Sequence, residues 1–216
     1  MICKKMQEAV FQGKVRLVQS LVQEALEEGL DAGVILEDGL LSAMNQMALE
    51  FGSEEIELAR VLACSKALKA GVACLEPYLE NRGETEGYTV VIGTAGGDLH
   101  DMGKHLVAVM FRSAGFRVTD LGVDVSAKQF AAAVSREEHV GFVCISCLLV
   151  TSLPVVKEIM QELSRHPRRR EFTLMAGGSA VTEAFVRENG GDLYTVSAME
   201  AASRAREIIE EKKKSS

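Results

Sequence analysis

The chain has 216 residues, 47% hydrophobic and 25% charged, with a formal net charge of -7 at pH 7. That is enough apolar matter to bury a core as one large domain or two small ones, and it is too acidic for the basic patch that binding a nucleic-acid backbone requires. No apolar run reaches the roughly 18 to 20 residues of a membrane-spanning helix, and the opening Met1-Ile2-Cys3-Lys4-Lys5 lacks an apolar segment followed by a cleavage site. Neither nucleic acid nor membrane is expected as a partner, and a cytoplasmic location is the default.

Residues 1–80 read as helices throughout: a first ending near Gly13, a second over 14–28, a third opened by Asp31 and a fourth over about 53–78. Leu36, Leu40, Met44 and Met47 recur three to four apart, as do Leu58, Leu62, Ala63 and the stretch Lys66 to Leu68. Each helix is thus expected to bury a stripe in a small four-helix bundle. Residues 81–87 hold two glycines and no aliphatic or aromatic side chain, the composition of a linker.

From residue 88 onward strand and helix alternate. Strand-like runs occupy 88–94, 116–120, 140–145, 172–175 and 193–195, and helical stretches begin near Gly103, Ser126, Ser152, Ser179 and Ser197. Five such units predict an α/β domain over 88–216, with a five-stranded parallel sheet covered by helices on both faces. The lysines of the closing Glu210-Glu211-Lys212-Lys213-Lys214 suit a solvated helix end.

Three special sequences fall at the ends of three strands. Gly97-Asp98-Leu99-His100-Asp101-Met102-Gly103 follows the first, Ser146-Cys147-Leu148 the third and Gly177-Gly178 the fourth. Ligands of open parallel sheets sit outside the carboxyl ends of the strands. In a flavodoxin-like order 2-1-3-4-5, the first and third strands flank the switch point where the crevice opens. The three motifs would then line one cleft. Gly177-Gly178 would let backbone amides approach a ligand ahead of a helix starting near Ser179, and Gly103 would allow tight packing as its helix begins.

The pattern Asp98-x-His100-x-x-Gly103, then 42 intervening residues, Ser146-x-Leu148, then 28 residues, Gly177-Gly178 resembles the cobalamin-binding fingerprint. It is shared by methionine synthase, several cobalamin-dependent mutases and the corrinoid proteins of methanogenic and acetogenic methyltransferases. The helical first half is similar to the cap module of the methyl-transferring members. Size and layout are nearest to the small stand-alone corrinoid proteins. The resemblance implies that His100 displaces the cofactor's own dimethylbenzimidazole and becomes the axial cobalt ligand, with Asp98 as the partner of its other ring nitrogen. Ser152 matches the third member of a His-Asp-Ser relay that moves a proton as the cofactor cycles between cob(I)alamin and methylcobalamin. Ser146 and Leu148 would line the channel for the nucleotide tail, with Thr151 close by and Gly177-Gly178 against the tail or its phosphate. The implied function is a carrier of cobalamin or a related corrinoid. It would pass a methyl group from a substrate-specific methyltransferase to a second one loading tetrahydrofolate or a thiol, with a reductive activase as a further partner. Both methyltransferases would be separate chains. Donors served by similar carriers include methoxylated aromatics, methanol and methylamines, and the reading leans toward an O-demethylase system. One departure stands out: where close relatives often carry an aromatic and a Pro-Glu pair, this chain reads Glu55-Ile56-Glu57-Leu58-Ala59-Arg60.

Other readings are open to the same residues. Cys144-Ile-Ser-Cys147 matches a redox CxxC motif, but such a pair should open a helix, whereas Cys144 sits inside a strand, so buried inert thiols are expected. His100 could be a surface residue, with Asp98 an ordinary helix N-cap. Gly93 to Asp98 does not fit GxGxxG, and Asp120 is the one acid placed for a ribose. No Gly-x-Ser-x-Gly elbow supports a hydrolase. Met44 and Met47 read as packing core, with coverage of the upper corrin face as the sharper possibility. His105, His139 and His166 carry no motif. A cobalamin-binding sensor without methyl cargo, or a mutase subunit, would share the fingerprint.

Overall fold

A computed structural model describes residues 2–43, 58–79 and 87–214, and the chain divides into two compact units, Met1–Leu79 and Glu80–Ser216. In the first unit α1 (Ile2–Phe11) and α2 (Val15–Glu27) turn on Gly13, whose φ of +66° suits a residue without a side chain. A Cβ at Gly13 would lie 2.6 Å from that of Ala63. Asp31 caps α3 (Ala32–Val34) by accepting the amides of Gly33 at 2.9 Å and Val34 at 3.2 Å. The same helix runs on as a π-helical stretch, Ile35–Leu41. Gly39 sits within it, where a Cβ would strike the Met6 sulfur at 2.6 Å, so the widened turn packs closely on α1.

The buried stripe of α4 (Leu58–Leu79) runs through Cys64, Ala67, Leu68, Val72, Leu75 and Leu79. Leu62, expected on that stripe, is 62% exposed. The spacing of Cys64, Leu68, Val72, Leu75 and Leu79 is as helical as that of Leu58 and Leu62, so periodicity alone did not choose the face. Met44, Met47 and residues 53–57 lie outside the described residues.

The second unit contains β1 (Thr89–Thr94), α5 (Met102–Ser113), β2 (Arg117–Asp120), α6 (Ala127–Arg136), β3 (Val140–Ser146), α7 (Leu153–Ser164), β4 (Thr173–Gly177), α8 (Glu183–Glu188), β5 (Leu193–Tyr194) and α9 (Ala198–Lys214). The strands pair in parallel in the order β2-β1-β3-β4-β5. β1 is buried at every position because both faces of the sheet are covered. On one face Val91, Val143 and Ile145 pack with Phe130 of α6 and Ile159 of α7. On the other, Val90, Ile92 and Phe142 pack with Phe111 of α5 and Ala205 of α9, and Phe111, Phe116 and Phe142 form an aromatic cluster with centroids 5.3 to 6.0 Å apart.

The helix following β4 starts later than Ser179. Thr182 caps it through its hydroxyl, which accepts the Phe185 amide, and α8 spans six residues. Gly177-Gly178 therefore does not lead directly into a helix N-terminus. Register places Thr94 beside Ser146 and Ser146 beside Gly177. The exits of β1, β3 and β4 thus form one row at the carboxyl edge of the sheet.

Lys104 of α5 is buried and ion-pairs with Asp120 at the end of β2, whose other oxygen accepts the Gly122 amide at 2.8 Å. Asp120, the acid weighed for a ribose, is thus engaged by a buried lysine. Removing one partner of such a pair strands a buried charge. Asp120→Asn should cost about 3 kcal/mol in urea unfolding, and Lys104→Met in that background should recover most of it. A loss below about 0.5 kcal/mol would mean the pair behaves as a surface one.

Candidate cofactor-binding site

The site is organised by the Asp98 carboxylate, which is fully buried. Its Oδ1 accepts the His100 backbone amide at 3.0 Å and lies 2.6 Å from His100 Nδ1. Its Oδ2 accepts the amides of Leu148 at 2.6 Å and Leu149 at 3.3 Å. Burial alone would raise the carboxyl pKa; the amides of His100 and Leu148, the His100 ring and the Leu149 amide outweigh it and hold the group below its ordinary value of 3.8. An ionised carboxylate can only accept, so the proton between the two side chains sits on Nδ1, and in the neutral ring the lone pair is on Nε2. The His100 side chain is 54% exposed, and Nε2 has no hydrogen-bond partner among the described residues. Asp98 is not the cap of α5. That position belongs to Asp101, which makes no side-chain cap bond.

Two residues without a sequence motif hold this loop. Thr94, buried at the end of β1, donates from Oγ1 to the His100 carbonyl at 2.9 Å. Asp124, after β2, accepts the Gly97 amide at 2.7 Å and donates its own amide to the Asp98 carbonyl at 3.1 Å. Gly97 has φ of +79° and Asp124 of +57°, a backbone pairing that residue type alone signals only weakly.

The three motifs do converge. Asp98 bonds the loop after β3 directly, and Gly178 lies against Cys147, whose amide donates to the Gly177 carbonyl at 3.0 Å. The two glycines serve the chain itself. A Cβ on Gly178 would stand 2.2 Å from the Cys147 carbonyl oxygen, and one on Gly177 2.9 Å from that of Thr195. The opposite holds at Gly103, where a Cβ would meet nothing within 4 Å; its bareness leaves a groove wall open and is not used for helix packing. Ser152 is buried beneath Gly97, whose Cβ would come 3.2 Å from the hydroxyl, and that hydroxyl has no hydrogen bond to a described residue, Asp98 included. Thr151 is exposed beside it in the short 3₁₀ turn Val150–Ser152. Met102 opens α5, half-buried, and Leu99, Leu148 and Val150 are exposed around His100, Leu99 by 72%.

Below the row of strand ends a groove of about 150 Å³ runs between α5 and α9 over β1, β3 and β4. Ser146 and Gly177 are at its mouth, with Cys144 and Met175 on its floor. Cys144 and Cys147 are buried and unlinked; burial pushes both thiols up, and the Asp98 charge adds to the rise at Cys147. A redox pair needs accessible thiols of lowered pKa, the opposite of these two.

No group of three metal-ligating side chains occurs among the described residues. One free imidazole nitrogen fits a metal whose other ligands would come from a macrocycle. The exposed aliphatic rim and the groove fit the broad ring and nucleotide arm of a corrinoid, and the unpartnered buried Ser152 hydroxyl is a polar atom awaiting a partner.

Comparison with known proteins agrees with this geometry. A B12 binding domain model matches residues 88–214, and a second B12 binding domain model matches residues 2–76. Dimethylamine corrinoid protein 1 of Methanosarcina mazei is 32% identical over 209 residues, 96% of each chain. Trimethylamine corrinoid protein 2 of the same organism is 33% identical over 210 residues, again 96% of each. Among solved structures, the Methanosarcina barkeri monomethylamine corrinoid protein superposes with a TM-score of 0.87 at 30% identity, covering 94% of this chain and 96% of that one. The methanol:cobalamin methyltransferase complex from the same species gives 0.54 at 29% identity, covering 97% and 80%. With one family model spanning more than half of its length and relatives above 30% identity aligned end to end, the chain belongs to the B12-binding domain family, and its cofactor is a cobalamin-type corrinoid.

Proposed function

We propose that the chain is a corrinoid carrier protein that holds its cofactor with His100 as the axial cobalt ligand and serves as the methyl-carrying partner of two methyltransferases. The observation that carries this reading is the 2.6 Å pairing of His100 Nδ1 with a fully buried Asp98, which turns Nε2, the ligating atom of the neutral ring, toward an exposed surface. When bound, the corrinoid supplies a cobalt able to accept a methyl group from one partner and release it to the other. The protein's own residues do the rest. Asp98 keeps the Nδ1 proton in place and can take it up at Oδ1, altering how strongly the imidazole donates. Ser152, buried beside Gly97, is the polar group available to extend that proton path once a bridging water or ligand atom joins it to Asp98. Leu99, Leu148 and Val150 form an aliphatic rim that excludes water from the metal's histidine side. Ser146 and Gly177 border the tail channel, Gly178 fixes the adjoining loops, and Leu148, expected in the channel, does not line that groove.

The partners are a substrate-specific methyltransferase, a second methyltransferase with tetrahydrofolate or a thiol as acceptor, and a reductive activase. The donor is chosen by the first of these. Relatives named for dimethylamine and for trimethylamine stand at 32% and 33% identity to this chain, a difference too small to select between them. The methanol complex and the methylamine names put those donors beside methoxylated aromatics, and the residues of this chain do not choose among them.

Mixing the protein with hydroxocobalamin should give a bound-cofactor absorption spectrum that His100→Ala alters; an unaltered spectrum removes His100 as the ligand. Asp98→Asn should keep the spectral type but weaken corrinoid affinity about 10- to 100-fold in an absorbance titration, and unchanged affinity would show that the pairing does not tune the ligand. Because folding lowers the Asp98 pKa, its stabilisation is fully present above 3.8 and is lost as pH falls through the lower folded value. Asp98→Asn should flatten the acid limb of unfolding free energy against pH, measured in urea. An acid limb as steep as in the parent chain would contradict the assignment.

A further inference from the structure

The groove between α5 and α9 has a polar mouth and an apolar floor. Ser146, Thr195 and Ser197 supply the hydroxyl groups of its lining. Ile92, Val107, Cys144, Met175 and Ala201 supply the lower walls and carry no charge and no amide or hydroxyl group. The Cys144 thiol points to the Met175 sulfur, 3.9 Å away, and the backbone groups of β1, β3 and β4 beneath it are spent in parallel pairing. A groove of about 150 Å³ whose lower walls are aliphatic has room for a benzene-sized ring. The walls keep this width because α9 presents Ala198 and Ala201 and α5 presents Gly103.

Resting on the carrier reading above, we propose that this floor selects the class of base at the end of the corrinoid's nucleotide tail: benzimidazole or phenol bases, with purine bases disfavoured. A purine brings ring nitrogens and an exocyclic amine that lose water on entering and find no hydrogen-bond partner at the floor. A phenol ring brings none of these, and a dimethylbenzimidazole brings a single acceptor nitrogen with two methyl groups to set on Met175 and Cys144. Selection of this kind, by leaving polar groups of the wrong ligand unpaired, is stronger than selection by size.

The test is a fluorescence-quenching or absorbance titration of the full chain with three corrinoids that share one corrin ring and differ only in tail base: dimethylbenzimidazole, p-cresol and adenine. The adenine form should bind at least tenfold more weakly than either of the others. Freeing the base from cobalt costs most for the benzimidazole form, which works against the expected order and makes its appearance more telling. Val107→Thr, on the half-buried wall, should narrow the adenine-to-benzimidazole ratio severalfold. Equal affinity for all three with a spectrum that still depends on His100, or a ratio unmoved by Val107→Thr, overturns base selection by the groove and leaves the carrier reading standing. A spectrum indifferent to His100→Ala overturns the carrier reading itself.

Discussion

Everything at the carboxyl edge of the sheet depends on one buried anion. The Asp98 carboxylate has no exposure and faces three amides and one imidazole. Isolated, such a charge would neutralise by taking up a proton; here the converging donors keep it ionised. The same bonds that make its burial tolerable join the loop after β1 to the loop after β3. They also fix the tautomer of the neutral imidazole, with the proton on Nδ1 and the lone pair on Nε2. Scaffold and ligand are therefore one interaction.

The surroundings divide the remaining work by polarity. Thr94 and Asp124 tie down the backbone on which His100 rides, while Leu99, Leu148 and Val150 offer an aliphatic surface around it. The buried Lys104 pairs with Asp120. A single imidazole is a poor site for a bare metal ion and a sufficient one for a metal already held in a ring.

Much of this was legible in the residues. Unbroken β-branched runs separated by helical stretches gave a parallel sheet, and three motifs with fixed spacing located the site at its edge. What stayed hidden was contact. Leu62 has the same helical period as Leu68, and only the neighbours of α4 decide which of the two is buried. Gly177 and Gly178 line the groove as expected of a ligand cradle, and the chain itself also needs them, since the carbonyls of Thr195 and Cys147 occupy the space a side chain would take. Gly103, expected at a packed helix start, lines open space instead. Thr94 and Asp124 carry no motif because their roles come from main-chain groups elsewhere in the fold. Ser179 reads as a helix start by type, but Thr182 has the extended backbone that a cap requires.

The central claim is that His100, and not the cofactor's own base, is bound to cobalt. It is tested most directly by electron paramagnetic resonance of the protein labelled with ¹⁵N-histidine, loaded with cobalamin and reduced to the cobalt(II) state. Ligation by His100 predicts that the nitrogen splitting changes from a triplet in the unlabelled protein to a doublet in the labelled one. A triplet that survives the labelling would mean that the tail base still occupies the metal, and would contradict the account.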